Sequence, residues 1–205
     1  MLELPHPVRV AIDGPDAAGK TTLADELAQV LAARGREVIR ASIDGFHRPR
    51  AVRYGRGPDS AEGYYRDSFD DEALQRDLLD PLGPDGSRLY RTAVFDFRTD
   101  SPRDQAPRLA RDDTVLLVDG IFLLRPELQG CWDLKIFVQV GPEESLRRAL
   151  DRDVELFGSP EEVERRYRTR YLPGQQLYLD EARPVEVADV VVINDDPAAP
   201  RLSAR

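Results

Sequence analysis

A chain of 205 residues, 41% hydrophobic and 33% charged, has enough material for one well-sized core and reads as a globular α/β domain. Its formal net charge of −9 disfavours the phosphate neutralisation on which nucleic-acid binding rests, so an anionic ligand needs a local cationic pocket. No apolar run approaches the ~20 residues that cross a bilayer. Met1–Pro5 lacks the flank and core of a secretory signal, and the single cysteine, Cys131, has no intrachain partner. The expected setting is cytoplasmic, with no membrane and no nucleic-acid partner; assembly of identical copies stays open.

In chain order, Val8–Ile12 reads as a strand, apolar enough to be covered on both faces of a parallel sheet. A glycine-containing turn leads into a helix over Thr21–Arg34, with Leu23, Leu27, Val30 and Leu31 on one stripe and Gly35 as its stop. Glu37–Ser42 is the second strand. From residue 46 to 111 the alternation lapses among glycines and prolines; a helix over Asp70–Leu79 and a short hairpin around Arg88–Phe97 are expected there. So long an excursion suits a substrate lobe inserted into the domain. Thr114–Val118 and Leu134–Val140 are the third and fourth strands. Helices over Glu143–Leu156 and Glu161–Arg170 follow, the second ending before Pro173. Ala188–Ile193 closes the sheet, and residues 195–205, with Pro197 and Pro200, read as a disordered tail. The whole implies a single three-layer domain over 1–194, a five-stranded parallel sheet between helices.

The turn after the first strand is Gly14-Pro15-Asp16-Ala17-Ala18-Gly19-Lys20-Thr21, which fits G-x-x-x-x-G-K-[ST] in its proper strand-to-helix context. Its glycines let successive N–H groups face inward as an anion nest, and the helix start adds positive charge. Gly14 through Thr22 are therefore the expected cradle for ATP, with Lys20 on the outer phosphates and Thr21 on Mg²⁺. The chain has 27 arginines but only two lysines, and one of those two stands at the position this motif requires. Asp119, at the end of the third strand, is the second expected Mg²⁺ contact. Asp44 ends the second strand, where the carboxyl edge of a parallel sheet opens onto the ligand crevice. A carboxylate there can align an incoming hydroxyl and take its proton. No Asn-Lys-x-Asp guanine-reading motif is present, since Lys135 stands in Asp133-Leu134-Lys135-Ile136.

These blocks, taken with Ser42-Ile43-Asp44-Gly45-Phe46-His47, Phe69-Asp70-Asp71-Glu72-Ala73-Leu74, Val94-Phe95-Asp96-Phe97, Leu117-Val118-Asp119-Gly120-Ile121-Phe122 and Ala188-Asp189-Val190-Val191-Val192, resemble the uridine kinase / phosphoribulokinase / pantothenate kinase family of P-loop kinases. The likeness runs from Val8 to Asn194. It implies that Asp44 is the hydroxyl-activating base and that Arg148 and Arg152, one helical turn apart, clamp phosphates from a lid. Arg147 belongs to the same helix. The implied activity is ATP-dependent phosphoryl transfer to a hydroxyl of a small molecule, foremost a nucleoside. Pantothenate, a nicotinamide riboside or another small alcohol is the alternative acceptor, and a slow ATPase switch without an acceptor is a second alternative. Candidate acceptor contacts are Asp44, His47, Tyr64, Tyr65, Asp67, Phe95 and Arg98. The chain departs from uridine kinases at His47, Tyr64 and Asp100 on the acceptor side and, conservatively, at Asp119, where the family usually has Glu; the resemblance implies that phosphoryl transfer is left intact.

Overall fold

The five apolar runs form the parallel part of one sheet in a computed structural model that describes residues 4–204. They are β1 (Val8–Asp13), β2 (Val38–Ser42), β3 (Val115–Asp119), β4 (Leu134–Gln139) and β5 (Val190–Ile193). Their spatial order is β5-β4-β1-β3-β2. Every residue of β1 and β3 is buried, which is why neither alternates in polarity. The register sets Ile12 beside Asp119 and Asp119 beside Ser42, so the carboxyl ends of β1, β3 and β2 finish at one level. All three expected polar elements leave the sheet from that edge.

Helix α1 (Lys20–Ala33) lies on one face, where Leu23, Leu27 and Leu31 pack on Val10, Ile12, Leu117 and Ile136. Each fully buried side chain of this kind contributes roughly 1.5–3 kcal/mol. The opposite face carries the larger core, in which Phe122 meets Tyr65 and Tyr178 edge-on. Among the described residues no helix is long and apolar enough to cross a membrane.

The structure differs from the sequence reading in four places. The helix expected over Glu143–Leu156 breaks at Asp153 into Pro142–Arg152 and Val154–Phe157. The excursion holds no simple hairpin at 88–97; Leu89–Tyr90 pairs with Arg108–Leu109 and Phe95–Asp96 with Ser101–Pro102, two nested antiparallel ladders. The helix beginning at Glu161 does not stop before Pro173. It runs as α4 (Pro160–Arg166), a π turn over Tyr167–Tyr171, and α5 (Leu172–Ala182). Pro173 falls in the first turn of α5, just beyond the wide turn where the regular bond ladder is already broken, so its missing N–H is tolerated. Finally, the segment after Asn194 is not structureless. Arg201–Ala204 forms β6, antiparallel to β5, satisfying backbone groups that the sheet edge would leave unpaired.

Candidate active site

Gly14 leaves β1 with φ 151°, and a Cβ built on it would lie 2.2 Å from the carbonyl oxygen of Val138. Only glycine lets the chain pass β4 so closely. Ala17 (φ 56°) and Gly19 (φ 92°) then turn left-handed, curling the loop into α1. Lys20 Nζ folds back to donate to Pro15 O at 2.6 Å, and burial lowers its pKa against the opposing pull of Asp16, Asp13 and Asp119. The loop is braced from outside as well. Tyr64 Oη and Gln175 Nε2 donate to Asp16 Oδ2 at 2.7 and 2.8 Å, Ser145 Oγ donates to Asp16 O at 2.6 Å, and Asn194 Nδ2 donates to Ala18 O at 2.7 Å.

Beside the loop, Thr21 Oγ1 donates to Asp119 Oδ2 at 2.7 Å, joining the two expected magnesium contacts directly. The other oxygen of Asp119 accepts from Arg40 Nη2 at 3.0 Å. These groups share a cleft of ≈ 200 Å³ with Lys20, Ser42, Asp44 and Arg152. Among the described residues no three His, Cys, Asp or Glu side chains cluster to hold a metal alone. Two hard oxygen donors beside a phosphate cradle suit a small divalent ion that keeps most of its ligands from phosphate and water.

Asp44 stands at the mouth of this cleft. Its side chain is 59% accessible along the groove, yet the protein on the remaining sides raises its pKa above 3.8, with Asp16 and Asp119 pushing the same way and His47 and Lys20 opposing. The two views agree once the groove's shape is considered: the carboxylate is open on one side and enclosed on the others. His47 Nδ1 lies 3.0 Å from Asp44 O, and its ring packs between Phe69 and Phe97 at centroid distances of 4.6 and 4.7 Å. Burial lowers the His47 pKa, with Asp44 opposing.

A larger cavity of ≈ 850 Å³ opens next to His47. Arg98 and Arg152 line it as well, so three of the expected residues converge there. Five other acceptor candidates do not reach its walls, and one of them, Asp44, lines the neighbouring small cleft instead. Tyr64, Tyr65 and Phe95 are buried in the core, because the aromatic cluster around Phe122 and Tyr178 claims the first two and the small ladder with Pro102 claims the third. Asp67 accepts from Arg56 Nε at 2.7 Å on the far side of α2 (Ala61–Asp67). Of the two arginines expected in a lid, Arg152 faces the larger cavity, the Asp44 cleft and the space over the loop, tethered to Asp153 at 2.6 Å. Arg148 instead donates to Glu144 at 2.7 Å and to the carbonyl of Asn194 at 2.6 Å, walling the loop's outer side. Both come from α3 (Pro142–Arg152), whose Arg147 points to solvent and pairs with Glu144 and Asp151.

Several site residues escaped the sequence reading. Asp13 is wholly buried, accepts from Gly14 N at 2.6 Å, Leu124 N at 3.1 Å and the Tyr178 hydroxyl, and has its pKa raised by burial. An acid ending a mostly apolar strand was the available signal. Arg50, Arg53, Tyr54, Arg166 and Tyr171 line the large cavity. No motif marks them, since they come from segments more than a hundred residues apart.

The chain matches the phosphoribulokinase / uridine kinase family over residues 9–192. It is 25% identical over 185 residues to a uridine kinase of Chlamydia pneumoniae, covering 89% of this chain and 80% of that one. It is 24% identical over 197 residues to uridine-cytidine kinase 2-B of Danio rerio, covering 91% and 73%. In fold it is similar to a solved structure of a possible uridine kinase from Bacillus stearothermophilus, with a TM-score of 0.70 at 24% identity over 93% of this chain and 90% of that one. Phosphoribulokinase from Rhodobacter spheroides shares the fold at a TM-score of 0.65 and 18% identity, over 92% and 70%. A match across nearly the whole chain, together with a phosphate loop, a Thr21–Asp119 contact and Asp44 on one sheet edge, places this protein in the phosphoribulokinase / uridine kinase family, as an ATP-dependent small-molecule kinase.

Proposed function

We propose that the protein moves the γ-phosphoryl group of ATP to a hydroxyl held in the cavity beside His47, with Asp44 as the base. The observation that carries this reading is the single cleft in which Asp44 meets Lys20, Thr21, Asp119 and Arg152. The inward amides of Gly14–Thr22 and the ammonium of Lys20 hold the phosphates. Thr21 and Asp119 would hold Mg²⁺, which supplies charge neutralisation between the phosphates when bound. A second cavity of ≈ 300 Å³, walled by Leu23, Val138, Arg148, Val192, Pro197 and Pro200, suits the adenine ring.

Asp44 accepts the proton of the acceptor hydroxyl as its oxygen approaches the γ-phosphorus. The oxygen–phosphorus bond to the acceptor forms as that to ADP breaks, and the bonding pair leaves with ADP. Arg152, reaching both the cleft and the acceptor cavity, is placed to neutralise charge on the group in transit. The sequence-based expectation of a nucleoside is supported by the names of the uridine kinase relatives.

The test is acceptor-dependent ADP release in a coupled assay. Asp44→Asn is expected to lower kcat by about 10²-fold or more while ATP binding, followed by nucleotide titration, stays near that of the parent. Weakened ATP binding with kcat retained would move Asp44 from the base to the metal site. ADP release indifferent to every acceptor would favour a nucleotide switch.

A further inference from the structure

Where the C-terminal half of α1 crosses the amino-terminal halves of β1, β3 and β4, helix and sheet stand apart around a cavity of ≈ 600 Å³. Nine aliphatic side chains and two arginines, Arg34 and Arg36, line it, with no aromatic ring and no carboxylate among them. The aliphatic walls are incompletely covered: Leu27, Leu31 and Leu134 are half-buried, and Val30 is 48% exposed. The arginines of the neighbouring strands are matched to acids, Arg9 to Asp133 at 3.2 Å and Arg40 to Asp119 at 3.0 Å. Arg34 and Arg36 differ. Among the described residues neither has an ion-pair partner, and the Arg36 Nε is buried without any hydrogen-bond partner. Glu37, the acid next in sequence, is taken by Arg111 at 3.7 Å.

A concave aliphatic surface left open to water is unfavourable, and so is a buried guanidinium N–H without an acceptor. One kind of ligand relieves both: a hydrocarbon chain ending in an oxyanion that matches the guanidinium fork. We infer that this cavity binds an aliphatic carboxylate, its chain lying between α1 and the sheet and its headgroup on Arg34 and Arg36. The walls offer no hydrogen-bonding group besides those arginines, so the body of the ligand needs none. The surface is concave and the chain carries a net charge of −9, so a free monomeric acid suits it better than an anionic membrane. No residue is shared with the proposed nucleotide and acceptor cavities, and Lys20 stands at the opposite end of α1. The site is therefore independent of the kinase reading, and either can fail without the other.

Isothermal titration calorimetry on the full chain tests this, with octanoate, decanoate and dodecanoate below their micelle-forming concentrations and 1-octanol as the neutral match. One site per chain is expected, and each two-carbon extension should tighten binding about tenfold, as burial of two more methylenes implies. Octanol is expected to bind at least about tenfold more weakly than octanoate. Arg34→Gln and Arg36→Gln should weaken octanoate at least about fivefold and leave octanol unchanged. Val30→Gln, at an exposed position that the fold tolerates, should weaken both. Saturating ATP should leave the Kd for octanoate within about twofold, because the cavities share no residue. Displacement of octanoate by ATP would put the chain in a nucleotide cavity and overturn the inference. Octanol bound as tightly as octanoate, arginine variants without effect, or no saturable binding at any length would overturn it as well. So would a dimer that Val30→Gln splits into monomers with no carboxylate bound, since a second copy would then cover this face.

Discussion

In the proposed reaction Asp44 takes a proton at neutral pH, and its surroundings fit that work better than those of an ordinary surface carboxylate. Partial desolvation by the surrounding protein and the charges of Asp16 and Asp119 raise its pKa above 3.8, which makes the ionised form a stronger base. Only the ionised form can accept the hydroxyl proton, so activity belongs to the high side of that pKa and falls as pH drops through it. The acid limb of kcat/KM is therefore expected above 3.8, and Asp44→Asn should remove it from whatever activity remains. His47 provides the control. It holds the Asp44 pKa down, so His47→Gln is expected to move the acid limb to higher pH; a limb that stays or moves lower would mean that another group sets the profile. The position of Asp44 was legible in the sequence, because an acid ending a strand beside the phosphate loop falls on the carboxyl edge of the sheet. Asp16 read only as part of the loop, although its carboxylate also gathers Tyr64 and Gln175 from two helices.

Those helices, α2 and α5, transmit the rigidity of the core to the phosphate loop. They meet at Gly174, where an added Cβ would lie 2.8 Å from both Ala61 O and Tyr64 Cδ1. Gly174→Ala is expected to cost roughly 1–3 kcal/mol of stability by overpacking, read as a lower urea midpoint. Because Tyr64 donates to Asp16, the same change should raise the KM for ATP several-fold; a loss of stability without that rise would show that the Tyr64 bond does not support the loop. A second tie runs from α5 to β1 through the Tyr178 hydroxyl on Asp13. Tyr178→Phe leaves a wholly buried acid with one donor fewer, a loss of about 1–3 kcal/mol measurable by the same denaturation. The parallel strands were readable because burial on both faces writes continuous apolar runs. The lobe was not, since two-residue ladders carry no periodicity. Tyr64 and Tyr65 sit in a polar stretch that looks exposed; their burial is decided by Phe122, Tyr171 and Tyr178, far away in sequence.

At the scale of the whole molecule, the proposed nucleotide and acceptor sides draw on different segments of the chain. The lobe between β2 and β3 supplies one wall of the acceptor cavity, and the segment after β5 supplies a wall of the cavity beside the phosphate loop. That segment is fastened at several points. Arg148 holds the carbonyls of Asn194 and Asp195 at 2.6 and 3.1 Å, Asp195 Oδ1 accepts from Gly141 N at 2.8 Å, and β6 pairs along β5. Pro197 and Pro200 are thereby set opposite Leu23 and Val138, a narrow apolar slot of the kind that grips a flat aromatic ring. Truncation after Asp195 keeps the Arg148 and Gly141 contacts but removes both prolines and β6. Losing about 1 kcal/mol of ring contact corresponds to a roughly fivefold weaker complex, so the KM for ATP should rise by about that factor. The acceptor cavity shares no residue with the removed segment, so kcat at saturating ATP and the KM for the acceptor should stay within about twofold, because the base Asp44 and the phosphate cradle are untouched. An unchanged KM for ATP would place the adenine elsewhere on the loop's rim, and a fall in kcat instead would mean that β6 supports the sheet edge on which Asp44, Asp119 and the loop converge.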